Sequence, residues 1–198
     1  MEEVPEGFDL AALLAPISRD APAGTDLRKD SSPGSLYLRL RDARAEARAA
    51  ERAMDADEAA TAPPAQWQMI RDLAIEALAG HSKDLEIAAW LTEALLRGDG
   101  LVGVAAGLRL MTGLVEGYWD GLLPLPDEDG IATRLAPAAG LNGVSGEGTL
   151  IQPLRKTILF SRPDGTPLPF WRYEQSAELA RIVDETRRQQ RIDAGVVP

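Results

Sequence analysis

One run of sixteen residues decides the fold of this 198-residue chain: Ser82-Lys83-Asp84-Leu85-Glu86-Ile87-Ala88-Ala89-Trp90-Leu91-Thr92-Glu93-Ala94-Leu95-Leu96-Arg97. Its apolar residues recur at the i, i+3, i+4, i+7 and i+8 spacing of one helix face, from Ile87 to Leu95. Ser82 is predicted to cap the start of this helix. Asp84 and Glu86 place negative charge near the positive end of the helix dipole.

A second apolar helix follows immediately after a break. Gly98-Asp99-Gly100 is predicted to end the first helix sharply, because glycine is a poor helix former. Between Leu101 and Tyr118 only Arg109 and Glu116 are charged, so this helix is predicted to be buried on most of its sides. The two helices together predict an αα-hairpin at the centre of the fold.

The residues before the hairpin predict three more helices and an irregular arm. A short helix over 8–15 is ended by Pro16, and an extended arm follows over 16–34. Helices are predicted over 35–54 and 65–79, joined by a linker over 55–64. The first of these two alternates arginines with carboxylates, which is typical of a solvated face with weak i, i+4 pairs.

The residues after the hairpin predict a helix, a small β-hairpin and a terminal helix. The helix covers 131–141, and a glycine-rich loop follows it. Period-two alternation and the turn Pro163-Asp164-Gly165 predict a short β-hairpin near 154–171. A last helix is predicted over 173–193. The expected fold is therefore mainly α, a multi-helix bundle around the central hairpin.

Composition limits the functions and the location of the chain. Thirty-one acidic and 21 basic residues give a formal net charge of -10, which repels nucleic acid and anionic lipid headgroups. No apolar run approaches the roughly 20 residues that span a bilayer, and the first residues lack a secretory signal. Cysteine is absent. We expect a cytoplasmic protein with no nucleic-acid partner and no direct membrane insertion.

Residues suited to catalysis are few. His81 is the single histidine, and it lies next to a helix start where we expect it to be exposed. The sequence predicts no catalytic, cofactor-binding or metal-binding residue, and no enzymatic activity. One enzyme alternative stays open, a metal-dependent hydrolase built on the acidic residues Asp120, Asp127, Glu128 and Asp129.

Several blocks of the sequence resemble one family in the family's own order. The run 82–97 resembles the signature of the ImpA-related N-terminal domain of TssA proteins from type VI secretion systems. Further blocks are similar to its opening, central and closing motifs: Ile17-Ser18, 22–28, Tyr118-Trp119-Asp120, Leu123-Pro124, 127–130, 134–137, 141–143, 148–151 and 153–155. The likeness extends from about residue 10 to residue 180.

This resemblance implies an assembly role. It implies that residues 1–198 form a single ImpA-type N-terminal domain, with a core over 8–171 and a terminal helix over 173–193 that leads to a region absent from this chain. Expected partners are baseplate, tail tube, sheath or membrane-complex proteins, with self-association left open. A sheath-end stopper that shares this domain is the alternative. Residues near turns are the partner-surface candidates: Trp119, Asp120, Asp127, Glu128, Asp129 and Arg134.

Overall fold

The structure, a computed structural model, describes residues 4–55, 65–144 and 146–196. The chain forms two compact units, Met1–Leu150 and Ile151–Pro198. Most of the predicted linker 55–64 lies outside the described residues. The assignment of residues 1–198 to a single domain stays a prediction.

The first unit is helical, as predicted. Its described residues contain α1 (Leu10–Leu14), α2 (Leu36–Asp55), α3 (Gln66–Gly80), α4 (Leu85–Tyr118) and α5 (Ile131–Asn142). The arm between α1 and α2 is irregular apart from a 3₁₀ turn at Leu27–Lys29. Helices α3 and α4 pack against each other, and α2 packs on α3.

The predicted hairpin is confirmed within α4. Gly100 adopts φ 59° and ψ -135°, which breaks the helix into a first arm (85–99) and a second arm (101–118). The arms fold back on one another: Thr92 Oγ1 of the first arm lies 3.7 Å from Met111 Sδ of the second. A Cβ added to Gly103 would lie 2.1 Å from the carbonyl oxygen of Leu95. Glycine is therefore required where the two backbones approach this closely.

Helix α4 has the length and apolar composition of a membrane-spanning helix. The break at Gly100 divides it into two arms, each shorter than the roughly 20 residues that cross a bilayer. The first arm is almost entirely buried against protein. Its apolar character is accounted for by its place in the core.

The second arm is less buried than predicted. Its inner face is covered, at Gly103, Ala106, Gly107, Leu110, Met111 and Leu114. Leu101 and Leu108 on its outer face are each about half exposed. The prediction of burial on most sides is wrong for this face, because a shortage of charges does not specify how many neighbouring helices will pack against it.

The second unit contains helices and a small sheet. Its elements are α6 (Ile151–Lys156), β1 (Ile158–Ser161), β2 (Pro167–Pro169), α7 (Phe170–Ala180) and α8 (Glu185–Asp193). Strands β1 and β2 pair antiparallel, with Phe160 opposite Leu168. The β-hairpin predicted near 154–171 is confirmed, although residues up to 156 are helical.

The predicted terminal helix over 173–193 requires correction, because it is two helices. Helix α7 ends at Ala180 and α8 begins at Glu185. The carboxylate of Asp184 accepts a hydrogen bond from the backbone N–H of Arg187 and so caps a new helix start. The β-branched pair Ile182-Val183 precedes this cap, and such residues are weaker helix formers.

Candidate interaction surface

A buried lysine connects three helices of the first unit. Lys83 is completely buried. Its Nζ donates hydrogen bonds to the carbonyl oxygens of Leu13 in α1, at 2.7 Å, and Leu78 in α3, at 2.6 Å. The ring of Tyr118 lies 5.7 Å away. Burial lowers the pKa of Lys83 to about 8.

This lysine gives the fold a pH dependence. We expect the free energy of unfolding to rise by about 2 kcal/mol between pH 8 and pH 10. In that window the unfolded chain keeps the lysine proton and the folded chain has released it, so a higher pH favours folding. The neutral amine still has two N–H donors for the two carbonyls. Burial raises the pKa of Tyr118 above its ordinary value near 10, so this tyrosine lowers stability as the pH approaches 10 and the unfolded chain begins to ionise it. The opposing loss is small at pH 9 and grows at pH 10 and above.

Urea unfolding at pH 7, 8, 9 and 10 measures this effect. The matched variant Lys83→Met fills similar volume but cannot titrate, so its stability should not rise across the same window. An identical rise in the variant, or a flat profile for the native chain, would contradict the assignment to Lys83.

The next residue, Asp84, fastens the arm 16–34 to the start of α4. Its buried carboxylate accepts hydrogen bonds from the backbone N–H groups of Glu86, at 2.8 Å, and Ile87, at 3.3 Å. Arg28 of the arm donates to Asp84 Oδ2 at 2.6 Å and to Glu86 Oε2 at 2.6 Å. Asp84 is therefore the N-cap, which corrects the prediction of Ser82.

Glu93 in the first arm of α4 is the second buried carboxylate, with 1% of its surface exposed. Arg44 of α2 binds it through two hydrogen bonds, Nη2 to Oε1 at 2.7 Å and Nε to Oε2 at 3.1 Å. Thr149 Oγ1 donates to Oε1 at 2.6 Å. For Arg44 the interpretation as a solvated i, i+4 partner is wrong, because its partner lies 49 residues away on another helix.

The exposed carboxylates that the sequence predicted as partner-surface residues lie in the segment between the end of α4 and the start of α5. We call this surface the acidic corner and define it by its exposed and half-exposed residues: Trp119, Asp120, Leu125, Asp127, Glu128, Asp129, Ile131 and Leu135. The four carboxylates were predicted from the sequence, and each is exposed. Trp119 is half-buried.

Arg134 lies beneath the acidic corner and holds it together. Its Nη1 donates to the carbonyl oxygen of Trp119 at 2.7 Å, and its Nε to that of Pro124 at 3.2 Å. The guanidinium also lies 5.0 Å from the centre of the Trp119 ring. Only 4% of Arg134 is exposed, so its side chain is not available to a partner. This corrects its prediction as a partner-surface residue.

Three large apolar side chains of the acidic corner were missed by the sequence reasoning. Leu125 and Ile131 are each 51% exposed, and Leu135 is 40% exposed. The i, i+4 spacing of Ile131 and Leu135 places them on one side of α5. Spacing alone predicts such a stripe but does not say whether it faces the core, and here it faces solvent.

Asp127 shapes the loop of the acidic corner. Its Oδ1 accepts hydrogen bonds from Thr133 Oγ1 and from the backbone N–H of Asp129. The hydrogen bond from Thr133, and then the one from Asp129, lower the pKa of Asp127, so it is ionised at neutral pH. Among the described residues, no three His, Asp or Glu side chains are placed to hold a metal ion together.

These features define a mainly α-helical protein organised around a helical hairpin, and ion pairs join the first arm of that hairpin and its N-cap to α2 and to the arm 16–34. The chain belongs to the ImpA N-terminal family: the family model described as "ImpA, N-terminal, type VI secretion system" matches residues 14–143. The resemblance seen in the sequence is confirmed.

Two relatives support this membership. Over 179 residues the chain is 35% identical to the type VI secretion system component TssA1 of Pseudomonas aeruginosa, covering 90% of this chain and 49% of that protein. It is also similar to a solved N-terminal domain, including the conserved ImpA_N region, of the TssA component from Burkholderia cenocepacia. That match has a TM-score of 0.64 and 31% identity, and it covers 90% of this chain and 64% of that one. The chain thus spans about half the length of the curated relative.

Proposed function

We propose that the chain is a non-enzymatic, cytoplasmic assembly scaffold of a type VI secretion system. In this role it contributes to baseplate recruitment and to assembly of the tail tube and sheath through protein–protein contacts. The observation that carries the proposal is the acidic corner, where exposed apolar side chains and unneutralised carboxylates lie together on a rigidly held turn.

The chemistry of the acidic corner supports a role in binding proteins. Large apolar side chains that cluster at a surface gain free energy when a partner removes them from water. A polar rim around such residues is the usual arrangement of protein interfaces. Beneath the corner, Arg134 fixes the turn to α5, so little order has to be gained on binding.

The buried charges support the same role. Asp84 and Glu93 are enclosed and bound by arginines from neighbouring segments. They hold helices in place and do not line a cleft that a substrate could enter. The expected partners are the baseplate, tail tube, sheath or membrane-complex proteins, and the relatives that carry the name TssA come from such systems.

Capture by the purified chain tests the proposal. The immobilised 198-residue chain should retain at least one purified baseplate, tube, sheath or membrane-complex protein of the same secretion system. Replacing the three apolar residues of the corner (Leu125→Ser, Ile131→Ser, Leu135→Ser) should reduce that capture by about tenfold or more, since buried apolar contacts dominate binding energy.

The matched control is Met69→Ser in α3, which alters an apolar side chain of similar exposure, 55%, outside the corner. This control should capture as the native chain does. The proposal fails if the native chain retains none of these proteins at micromolar concentration.

A further inference from the structure

We propose that the acidic corner binds an amphipathic helix of a partner protein, one whose apolar face is flanked by lysine or arginine. This inference rests on the proposed function and adds the chemistry of the partner. It is drawn from three properties of the corner: the position of its apolar side chains, its charge, and the type of backbone that it offers.

The apolar side chains surround one fixed point. Ile131 lies one helical turn before Arg134 in α5, and Leu135 follows it directly. Leu125 follows Pro124, whose carbonyl oxygen accepts a hydrogen bond from Arg134. The three exposed side chains therefore lie on the two segments that this guanidinium holds together. A partner that covers both segments removes all three from water.

The exposed charge around this apolar surface is of one sign, because Arg134, the cation at its centre, is buried beneath it. The segment from residue 117 to residue 133 contains four acidic residues and no lysine or arginine. Within the described part of the chain, the carboxylates of Asp120, Glu128 and Asp129 have neither a hydrogen bond nor an ion pair. Three uncompensated negative charges favour a partner with basic flanks and repel one with acidic flanks. They also repel phosphate-rich partners such as anionic membranes and nucleic acids.

The backbone of the corner favours a helical occupant. Its regular element is α5, and Ile131 and Leu135 form a ridge along that helix. In the described residues of the corner the backbone pairing is a tight turn between Asp127 and Gly130, with no open sheet edge that could accept an added strand. A second helix can pack its own apolar ridge beside that of α5, as peptide helices do in apolar grooves.

The test uses three fluorescent designed peptides and the intact 198-residue chain. The first peptide is an amphipathic helix with a leucine face and lysine flanks. The second has the same face and glutamate flanks, and the third has the composition of the first in an order without an apolar face. We expect the first to bind at least about tenfold more tightly than either of the others, as measured by fluorescence anisotropy.

Two sets of substitutions locate the binding site. The apolar set (Leu125→Ser, Ile131→Ser, Leu135→Ser) should weaken binding of the basic peptide by about tenfold or more. The charge set (Asp120→Asn, Glu128→Gln, Asp129→Asn) leaves Asp127 in place to shape the loop. It should weaken binding by a similar factor and reduce the dependence of binding on salt. Met69→Ser should change neither the affinity for the basic peptide nor its dependence on salt. Circular dichroism should confirm that each variant is folded.

Several results would overturn the inference. Equal binding of the lysine-flanked and glutamate-flanked peptides would remove the role of charge. Binding that survives both sets of substitutions would place the site elsewhere. A native chain that sediments as a dimer and becomes a monomer with the apolar set would assign the corner to a second copy. Capture of a secretion-system protein without binding of the basic peptide would reject the partner chemistry and leave the proposed function standing.

Discussion

Gly103→Ala should destabilise the chain by about 3 kcal/mol, even though alanine is the better helix former. The added Cβ would lie 2.1 Å from the carbonyl oxygen of Leu95 and 2.5 Å from its carbonyl carbon. Both atoms belong to the backbone of the facing arm, so no side-chain rotation can relieve the clash. The two arms of α4 must separate, and the core between them loses contact.

Gly117→Ala is the matched control in the same arm of α4. A Cβ at Gly117 would meet nothing within 4 Å. This substitution should raise the free energy of unfolding by up to about 1 kcal/mol, because alanine loses less backbone freedom in a helix. Urea unfolding at pH 7 compares the two variants directly. If both glycine substitutions stabilised the chain, the close approach of the arms would be wrong.

Arg44→Met should destabilise the chain by about 3 kcal/mol, since it leaves the buried carboxylate of Glu93 without its hydrogen-bonded cation and with only the electrostatic interaction of Arg48. Thr149 would remain as a donor, but one hydroxyl does not replace a bidentate guanidinium. The exposed pair Arg41–Asp42 provides the control, because both of its side chains are more than half exposed. Arg41→Met should change stability by less than about 0.5 kcal/mol.

The double variant Arg44→Met, Glu93→Met completes the cycle. It removes the buried charge together with its partner, so it should be more stable than Arg44→Met alone. Unfolding in urea of the native chain, of Arg44→Met, of Glu93→Met and of the double variant gives the four free energies that the cycle needs. A double variant less stable than Arg44→Met would show that Glu93 is stabilised mainly by groups other than Arg44.

The helices of the fold could be predicted because their signals are local. The apolar period of 82–97 and the Gly98-Asp99-Gly100 break specify two helices and a reversal between them. Local signals also misled in places. Ser82 and Asp84 are both good caps, and the helix begins only after Asp84 because the backbone before it is paired elsewhere: the N–H of Lys83 donates to the carbonyl oxygen of Ala23, and Leu123 pairs beside Asp84. Such contacts join segments far apart in the chain and leave no periodic trace in the sequence.

The candidate surface was predictable in part, because the turns that expose its carboxylates also have local signals. Asp120 and the run 127–129 lie next to prolines and glycines, which indicate turns and therefore exposure. Arg134 carries a charge and was expected at the surface. Its burial depends on two backbone carbonyls that become acceptors only after the turn has formed. The outward direction of Ile131 and Leu135 likewise depends on which side of α5 meets α4.

The run 82–97, which carries most of the family likeness, is buried along almost its whole length in the described structure. Changes there should act on the amount of protein that a cell accumulates, because a less stable chain is degraded or retained by chaperones. Under the proposed function, a cell carrying such an allele would lose secretion through a shortage of the protein. Genetic screens that score secretion alone would then count positions such as Glu93 as docking residues, unless protein levels are measured beside the phenotype.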